Sequence, residues 1–220
     1  MQTDNQHQID EEYQSNFKEG ISSYNLGEYS SAAETFKYLA KKYPNDPDVH
    51  INLGNALYKT ENFDTALSTW LKARELDAYN VKTYINIGNL YFKQSNIDKA
   101  LKEWEKGLLV SPTNPTILIN IASTFEKNGV EKKAFKLYEF YLHNSFDRSS
   151  SDYKIVLKKI SSHKIEALTQ MKKGVFYQKK QKYRNAVQFY LQSIKSYPIF
   201  TKGYLNLGNV CYLLEKYESA

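Results

Sequence analysis

The chain has 220 residues and a mass of 25.6 kDa, with 41% hydrophobic residues, 25% charged residues and a net charge of +6. It is too apolar for a disordered protein, and its apolar runs fall short of the roughly 20 residues that cross a bilayer. Its N-terminus lacks the basic and apolar regions of a secretory signal, so we expect a cytoplasmic protein, and its single cysteine excludes an internal disulfide.

One helical phrase recurs along the chain. HINLGNALYK begins at His50, YINIGNLYFK at Tyr84 and LINIASTFEK at Leu118, each 34 residues after the one before, and YLNLGNVCYL begins at Tyr204. Apolar residues within each phrase recur at intervals of three and four, which predicts helices and not strands. The last interval is 86 residues, two periods of 34 with a surplus of 18.

Small and large residues share this period. Alanine marks one position of each repeat, at Ala32, Ala66, Ala100, Ala134, Ala186 and Ala220. A glycine precedes five of these alanines by 12 residues, and a large aromatic follows five of them by four, as with Gly54, Ala66 and Trp70. We interpret this as a helical hairpin in which the glycine lets two helices approach and the aromatic fills the gap toward the next hairpin. Such short helices are marginal alone, so they must stack.

The prolines mark the junctions between hairpins. All five lie there, at Pro44, Pro47, Pro112, Pro115 and Pro198. Asp46-Pro47 and Asn114-Pro115 each predict an N-cap followed by a proline in the first turn of a helix.

Taken together, this pattern resembles the tetratricopeptide repeat, a helix-turn-helix unit of 34 residues with small, aromatic and proline positions in this order. The matched repeats are 13–46, 47–80, 81–114, 115–148 and 167–200, followed by the first helix of a sixth. The resemblance implies an all-α fold, a right-handed superhelical solenoid of antiparallel helix pairs.

The domain organisation follows from these repeats. Residues 1–12 form an N-terminal tail, 13–148 hold repeats one to four, 149–166 hold the surplus, and 167–220 hold repeat five and the first helix of repeat six. Because Ala220 is the alanine that opens a second helix, we expect a fragment of a longer protein.

The surplus at 149–166 predicts one extra short helix between repeats four and five. Ser149 to Asp152 reads as a loop with an N-cap, after which Tyr153, Val156, Leu157 and Ile160 share one helical face. Residues 161–163 form only a weak boundary. The alternative is that the inserted helix is continuous with the first helix of repeat five.

No catalytic signature accompanies the repeats. The motifs of phosphate-binding loops, dinucleotide-binding folds, zinc proteases and serine hydrolases are absent, and the four histidines lack ligand spacing. We therefore predict a non-enzymatic protein with no catalytic residue, no metal and no cofactor.

Surface residues remain as the candidate site. The resemblance implies that the first helices of successive repeats line a concave groove and that positions 2, 5, 6, 9, 12 and 13 of each repeat face a ligand. The predicted groove residues are Ile51, Asn52, Asn55, Tyr58, Lys59, Ile85, Asn86, Asn89, Phe92, Lys93, Ile119, Asn120, Lys127, Asn206 and Asn209. Asparagine amides donate and accept, so a row of them can bind the backbone of an extended peptide. The alternative, that they satisfy local hydrogen bonds, is equally weighted at position 6, whereas we favour the ligand at position 9.

A second binding mode of the family is the carboxylate clamp for chaperone C-termini. Counted from repeat two, its five positions hold Ile51, Asn55, Asn86, Thr116 and Asn120, so all three cationic positions are lost. We do not expect this mode.

Charge is concentrated near the surplus. Residues 152–184 hold ten basic and two acidic side chains, including a predicted basic patch of Lys158, Lys159, Lys172, Lys173, Lys179 and Lys180. Such a patch can attract an acidic protein, RNA or an anionic membrane surface. The alternative is a solvated surface, and the lack of interleaved stacking aromatics disfavours nucleic acid.

The sequence therefore predicts a scaffold that binds a peptide segment or a helix of a partner protein in its groove. By analogy with lysine- and asparagine-rich bacterial chains, we place it in a larger assembly such as a motility, secretion or envelope machine. Two alternatives stay open: an accessory module of an enzyme or regulator beyond Ala220, and a binder of RNA or anionic surfaces through residues 152–184.

Overall fold

The computed structural model describes the backbone of residues 2–218 and the side chains of residues 11–216. Over these residues the chain forms eleven α-helices and no strand. The described chain divides into two compact units after Pro112, between the third and fourth repeats.

Unit 1 consists of three antiparallel helical hairpins, one for each repeat. Its helices are α1 (Gln2–Asn25), α2 (Tyr29–Lys42), α3 (Pro47–Lys59), α4 (Phe63–Leu76), α5 (Val81–Lys93) and α6 (Ile97–Val110). Within each hairpin the two helices pack closely, and α3 also contacts both α1 and α5. The first helices therefore form a row.

Glycine and tryptophan close each hairpin of the regular repeats. A Cβ added to Gly54 would lie 2.5 Å from the indole of Trp70, and one added to Gly88 would lie 2.4 Å from that of Trp104. The aromatic ring thus packs on the glycine of its own hairpin, a contact that our interpretation of the sequence had not assigned to it. Trp70 also shares a buried cluster with Ile87 of the next hairpin, as expected.

The predicted N-caps are confirmed. The Asp46 carboxylate accepts hydrogen bonds from the backbone N–H groups of Asp48 and Val49, and the Asn114 side chain accepts one from Ile117. Proline follows each cap in the first turn. These caps satisfy backbone donors that the helix itself leaves unpaired.

Each turn inside a hairpin contains one residue with positive φ. The five residues are Gly27, Glu61, Ser95, Gly129 and Gln181. They occupy the same repeat position, because they follow the 34-residue period with its single surplus of 18. Only two of the five are glycine, so residue type alone does not indicate this shared left-handed turn.

Unit 2 contains five helices: α7 (Pro115–Lys127), α8 (Glu131–Asn144), α9 (Ser151–Lys179), α10 (Tyr183–Ser196) and α11 (Thr201–Glu218). The pairs α7/α8 and α9/α10 form hairpins, and α11 packs on α10 and α9. Ser150 caps α9 as predicted, since its Oγ accepts a hydrogen bond from the N–H of Tyr153.

The prediction of a separate short helix at 149–166 is wrong. Residues 151–179 form one continuous helix of 29 residues, so the inserted segment is fused with the first helix of repeat five, as in the alternative. Neither proline nor glycine interrupts residues 161–163. Ser162 Oγ donates a hydrogen bond to the carbonyl of Lys159 in the same helix, and His163 Nδ1 donates one to the carbonyl of Ser196 on α10. Both polar side chains are therefore hydrogen-bonded while the backbone at this boundary stays helical.

The inserted half of α9 packs by its own apolar face. Val156 and Ile160 are buried as predicted, and Tyr153 lies 6.3 Å from the ring of Tyr141, whereas Leu157 is 42% exposed. In the second half of α9, a Cβ on Gly174 would lie 2.5 Å from Tyr190, which repeats the glycine-aromatic contact of unit 1.

The two ends of the chain differ from the expected segments in extent. Helix α1 begins at Gln2, so helical backbone covers most of the segment expected as a tail, while the side chains of residues 1–10 lie outside the described part. The first helix of repeat six is present as α11. Ala220 lies outside the described residues.

Candidate functional site

The predicted groove residues of repeats two and three lie on α3 and α5, the adjacent first helices of unit 1. We call this surface the unit 1 face, and it consists of Asn52, Asn55, Tyr58, Lys59, Ile85, Asn86, Asn89, Phe92 and Lys93. Both lysines are exposed and the other seven side chains are half-buried. All nine therefore retain some contact with solvent.

The structure corrects the prediction for Ile51, whose side chain is not part of the unit 1 face. Its side chain is only 2% exposed. It precedes Gly54 by one helical turn, and Trp70, which covers that glycine, donates its indole N–H to the carbonyl of Ile51 at 3.3 Å. Because the Ile51 side chain is buried, a ligand on the unit 1 face cannot reach it.

Asn55 connects three helices of unit 1. Its Oδ1 accepts a hydrogen bond from the Trp70 indole on α4 at 3.1 Å and a second from Asn86 Nδ2 on α5 at 2.7 Å. The bond to Asn86 joins position 9 of one repeat to position 6 of the next. The asparagine row is thus partly an internal network, and Trp70 is a member that the sequence interpretation missed.

The network leaves one donor and one acceptor at this point of the face. Among the described residues, Asn55 Nδ2 and Asn86 Oδ1 have no hydrogen-bond partner. Asn52 differs, since its Nδ2 donates to the carbonyl of Asp48 in the same helix. At position 6 one asparagine therefore makes a local bond while the other bridges two repeats.

Lys93 joins the end of α5 to the preceding hairpin. Its Nζ lies 5.2 Å from the ring centre of Tyr58, 4.6 Å from that of Phe63 and 3.7 Å from a carboxylate oxygen of Glu61. Lys59 makes a similar contact with the ring of Tyr29, at 5.7 Å. The lysines at position 13 thus contribute cation–π contacts between repeats, although they remain exposed.

Predicted groove residues of unit 2 are less continuous. Ile119, Asn120 and Asn206 are half-buried, and Lys127 and Asn209 are exposed. Between α7 and α11 in the chain, α9 carries Lys172 and Val175 at the repeat positions that hold asparagines elsewhere. The asparagine row therefore stops within unit 2.

The basic patch divides into exposed and paired lysines. Five of its six members are exposed, namely Lys158, Lys172, Lys173, Lys179 and Lys180. The structure corrects the prediction that Lys159 belongs to this exposed patch. Its Nζ lies 2.6 Å from a carboxylate oxygen of Glu126 on α7 and 5.2 Å from the ring centre of Tyr138. Burial alone would raise the pKa of Glu126, but hydrogen bonds from Lys159 and Tyr138 lower it below its ordinary value. Lys159 is thus an internal partner of unit 2.

Unit 2 also contains a cleft that the sequence did not predict. Its volume is about 360 Å³, and its lining includes Glu131, Phe135, His163, Glu166 and Lys195. The inserted half of α9 contributes His163 and Glu166 to this lining. Within the residues whose side chains are described, no three acidic, histidine or cysteine side chains are close enough to hold a metal ion.

Comparison with protein families identifies the repeats. Family models described as tetratricopeptide repeat match residues 17–80 and 168–200, and one described as TPR repeat matches residues 88–129. Together the matches span more than half of the chain. Among curated proteins, none matches the chain.

Solved structures share the fold. A tetratricopeptide repeat protein from Parabacteroides merdae is 15% identical with a TM-score of 0.55, covering 93% of this chain and 74% of its own. TTC0263, a thermophilic TPR protein of Thermus thermophilus, is 15% identical with a TM-score of 0.53, covering 91% and 99%. The first TPR of Spaghetti (RPAP3), bound to the HSP90 peptide SRMEEVD, is 20% identical with a TM-score of 0.50, covering 53% and 93%.

The described helices include none whose length and apolar character would let it cross a membrane. Helical hairpins closed by glycine and aromatic side chains recur in both units with the period of the sequence. With the three family matches, they establish that the chain belongs to the tetratricopeptide repeat family.

Proposed function

We propose that this protein is a non-enzymatic scaffold that binds a peptide segment of a partner protein on the unit 1 face. The tetratricopeptide fold supports a role in protein–protein interaction, and proteins of the family are typically non-catalytic. The observation that carries the proposal is the 2.7 Å hydrogen bond from Asn86 to Asn55, which holds two amides side by side on adjacent first helices.

These two amides match the backbone of an extended peptide. Asn55 Nδ2 can donate to a peptide carbonyl, and Asn86 Oδ1 can accept from a peptide N–H. Because their mutual bond and the indole of Trp70 already fix them, little side-chain entropy is lost on binding. Tyr58 and Phe92, both half-buried, offer apolar contact beside them. We expect an affinity on the order of micromolar, since a flexible segment must be ordered.

The peptide differs in chemistry from one held by a carboxylate clamp. The structure of the first TPR of Spaghetti with its HSP90 peptide shows that the fold accommodates a short segment. In this chain the clamp positions counted from repeat two hold no lysine or arginine. We therefore propose recognition of backbone groups and apolar side chains, with no requirement for a C-terminal carboxylate.

For the cellular setting we propose a larger assembly, of which a bacterial motility, secretion or envelope machine is one example. An accessory module of an enzyme or regulator would use the same face, so the setting does not alter the binding mechanism. Identification of the bound partner tests this proposed setting.

Site-specific photo-crosslinking in cells tests the unit 1 face. A photoreactive amino acid is introduced at Ile85 on that face, and in a matched variant at Lys102, which is exposed on the second helix of the same repeat. We expect a discrete crosslinked partner from position 85 and none from position 102. Equal products at both positions, or none at position 85, would contradict the proposal.

A second experiment separates binding from stability. Asn55→Asp keeps an oxygen that accepts from Trp70 and Asn86 but removes the donor group, so the fold is retained. We expect about tenfold weaker partner binding with little change in Tm. Asn45→Asp, at an exposed loop position, is the control for the added negative charge. Equal affinities of the two variants would count against a backbone-binding role of Asn55.

A further inference from the structure

Helix α9 presents a continuous exposed surface that extends from its inserted half, which no repeat position covers, into repeat five, where Lys172 and Lys179 occupy positions 6 and 13. Lys158, Ile165, Lys172, Phe176 and Lys179 follow one another at intervals of seven, seven, four and three residues, which places them on one face of the helix. All five are exposed, Ile165 by 65% and Phe176 by 53%. We call this surface the α9 stripe. It is about 32 Å long.

The positive charge of the α9 stripe is uncompensated. Two other lysines of α9 are paired, Lys159 with Glu126 and Lys164 with Glu139 at 2.7 Å. In contrast, no carboxylate of a described residue lies within 4.0 Å of Lys158, Lys172 or Lys179. The acids of α9, Asp152 and Glu166, lie outside the stripe. A ligand of this face must therefore supply negative charge.

The apolar side chains of the stripe narrow the choice of ligand. On a helix that lies in a lipid surface, apolar residues occupy one face and lysines another. Here Lys172 lies between Ile165 and Phe176 on the same face, so insertion of the two apolar residues would desolvate the lysine. This arrangement disfavours a membrane.

RNA fits the same face poorly. Bases bind by stacking on exposed aromatic rings, and Phe176 is the one aromatic residue of the stripe. Lys180 lies 4.4 Å from the centre of that ring and covers it. Ile165 offers no stacking surface, so it would remain unpaired against RNA.

A helix of a partner protein can contact both the lysines and the apolar side chains of the α9 stripe. The seven-residue spacing keeps the stripe in contact with a parallel or antiparallel partner helix over several turns. Leucine or isoleucine of the partner can pack on Ile165 and Phe176, while glutamates or aspartates on its flanks pair with Lys158, Lys172 and Lys179. We propose that the α9 stripe is a docking site for an acidic amphipathic helix of a partner protein. This site lies on α9 of unit 2 and shares no residue with the unit 1 face.

The test uses defined probes with the complete 220-residue chain. They are a synthetic amphipathic helical peptide of about 20 residues with leucines along one face and flanking glutamates, the same peptide with glutamine for glutamate, a uridine oligonucleotide of about 20 nucleotides, and phosphatidylcholine vesicles with phosphatidylserine. Anisotropy and co-sedimentation at low and moderate salt report binding. Circular dichroism melting confirms that each variant is folded.

Three variants locate the site. The triple variant Lys158→Glu, Lys172→Glu, Lys179→Glu should weaken binding of the acidic peptide by about 30-fold. The double variant Ile165→Ser, Phe176→Ser should weaken it by about tenfold. The control carries the same charge change at exposed lysines elsewhere, Lys37→Glu, Lys102→Glu and Lys136→Glu, and should bind as the original protein does.

Each other outcome overturns the proposal. Failure of the acidic peptide to bind, or an equal loss in the control, excludes the stripe as its site. Tighter binding of RNA or vesicles than of the peptide assigns the face to those ligands instead. Full binding by the variant with Ile165→Ser and Phe176→Ser would show a purely electrostatic contact without helix docking.

Discussion

The helices of the two units are held together by different kinds of side-chain contact. In unit 1 each hairpin closes by a large aromatic ring on a glycine, and neighbouring first helices are joined by the Asn86–Asn55 bond and by Lys93 over Tyr58. In unit 2 the inserted half of α9 has no glycine on which a ring could pack. Besides the buried Val156 and Ile160, polar partners hold it, namely Glu126 with Lys159, Glu139 with Lys164, and His163 with the carbonyl of Ser196.

This difference shows how a repeat protein absorbs an irregular insertion. Lengthening a helix keeps every backbone hydrogen bond, whereas an additional loop would need new caps. The inserted half of α9 lacks the small-to-large complementarity of the repeat, and side chains from the preceding hairpin pair with it. Glu139 illustrates this, because it accepts a hydrogen bond from Tyr197 as well as the contact with Lys164. Burial, and then the Glu139 carboxylate, raise the pKa of Tyr197.

The substitution with the largest expected effect removes the aromatic contact on which unit 1 depends. Trp70 is 2% exposed, and Trp70→Ala should lower the free energy of unfolding by about 3–5 kcal/mol because it leaves a cavity above Gly54 and removes one of the two hydrogen bonds that Asn55 Oδ1 accepts. Urea unfolding measures the loss. In comparison, Leu109→Ala at an exposed position of unit 1 should change stability by less than about 0.5 kcal/mol. Similar small losses for both variants would contradict the packing described for unit 1.

A pair of glycines at one repeat position sharpens the comparison inside unit 2. A Cβ on Gly174 would lie 2.5 Å from Tyr190, so Gly174→Ala should destabilise the chain by about 2 kcal/mol. A Cβ on Gly208 meets nothing within 4 Å, so Gly208→Ala should stabilise α11 by about 0.5–1 kcal/mol. Thermal unfolding followed by circular dichroism measures both. Effects of equal sign would mean that contact with the ring does not decide the outcome.

The regular part of the fold was predictable because local signals agree there. The 34-residue period, the Asp46-Pro47 cap and the small-to-large spacing of Gly54 and Trp70 all specify the same hairpin. The sequence alone did not decide whether α9 is continuous, because Ser161, Ser162 and His163 disfavour a helix locally. In the structure, the contacts of His163 with Phe135 and with the carbonyl of Ser196 outweigh that local preference.

The candidate site was predictable only in outline. The structure leaves Asn55 and Asn86 partly accessible to solvent, and their contact with a ligand stays a prediction. Repeat positions could not show that the Trp70 indole donates to Asn55 Oδ1. Ile51 was wrongly placed on the face because an apolar residue at that position fits either a ligand or the core equally well. Lys159 was wrongly grouped with exposed lysines, since its partner Glu126 is 33 residues away in the sequence.

Acidification should affect the contacts of unit 2 around Glu126. Its pKa is lowered in the folded chain, so the stabilisation that it contributes is present above the ordinary value of 4.5 and is lost as the pH falls through the folded value. Glu126→Gln should cost about 1 kcal/mol at neutral pH and reduce the loss of stability on acidification. Urea unfolding at pH 7 and below pH 4.5 measures this. Glu105→Gln, at an exposed position of α6, is the matched control for the loss of one carboxylate and should change the stability at neutral pH by less than about 0.5 kcal/mol.

The smallest effect concerns the left-handed turn that both units share. Gln181 has φ of 56° and Gly129 has φ of 74° at the same repeat position of unit 2. A side chain is strained in this region, so Gln181→Gly should raise the free energy of unfolding by about 0.5–1 kcal/mol, and Gly129→Ala should lower it by about 1 kcal/mol. Gln188→Gly, an exposed position inside α10, should instead destabilise by about 1 kcal/mol. Urea unfolding that showed Gln181→Gly to be as harmful as Gln188→Gly would exclude a strained turn. Because the turn geometry is common to regular and irregular repeats, the response to glycine at this position should not differ between the two units.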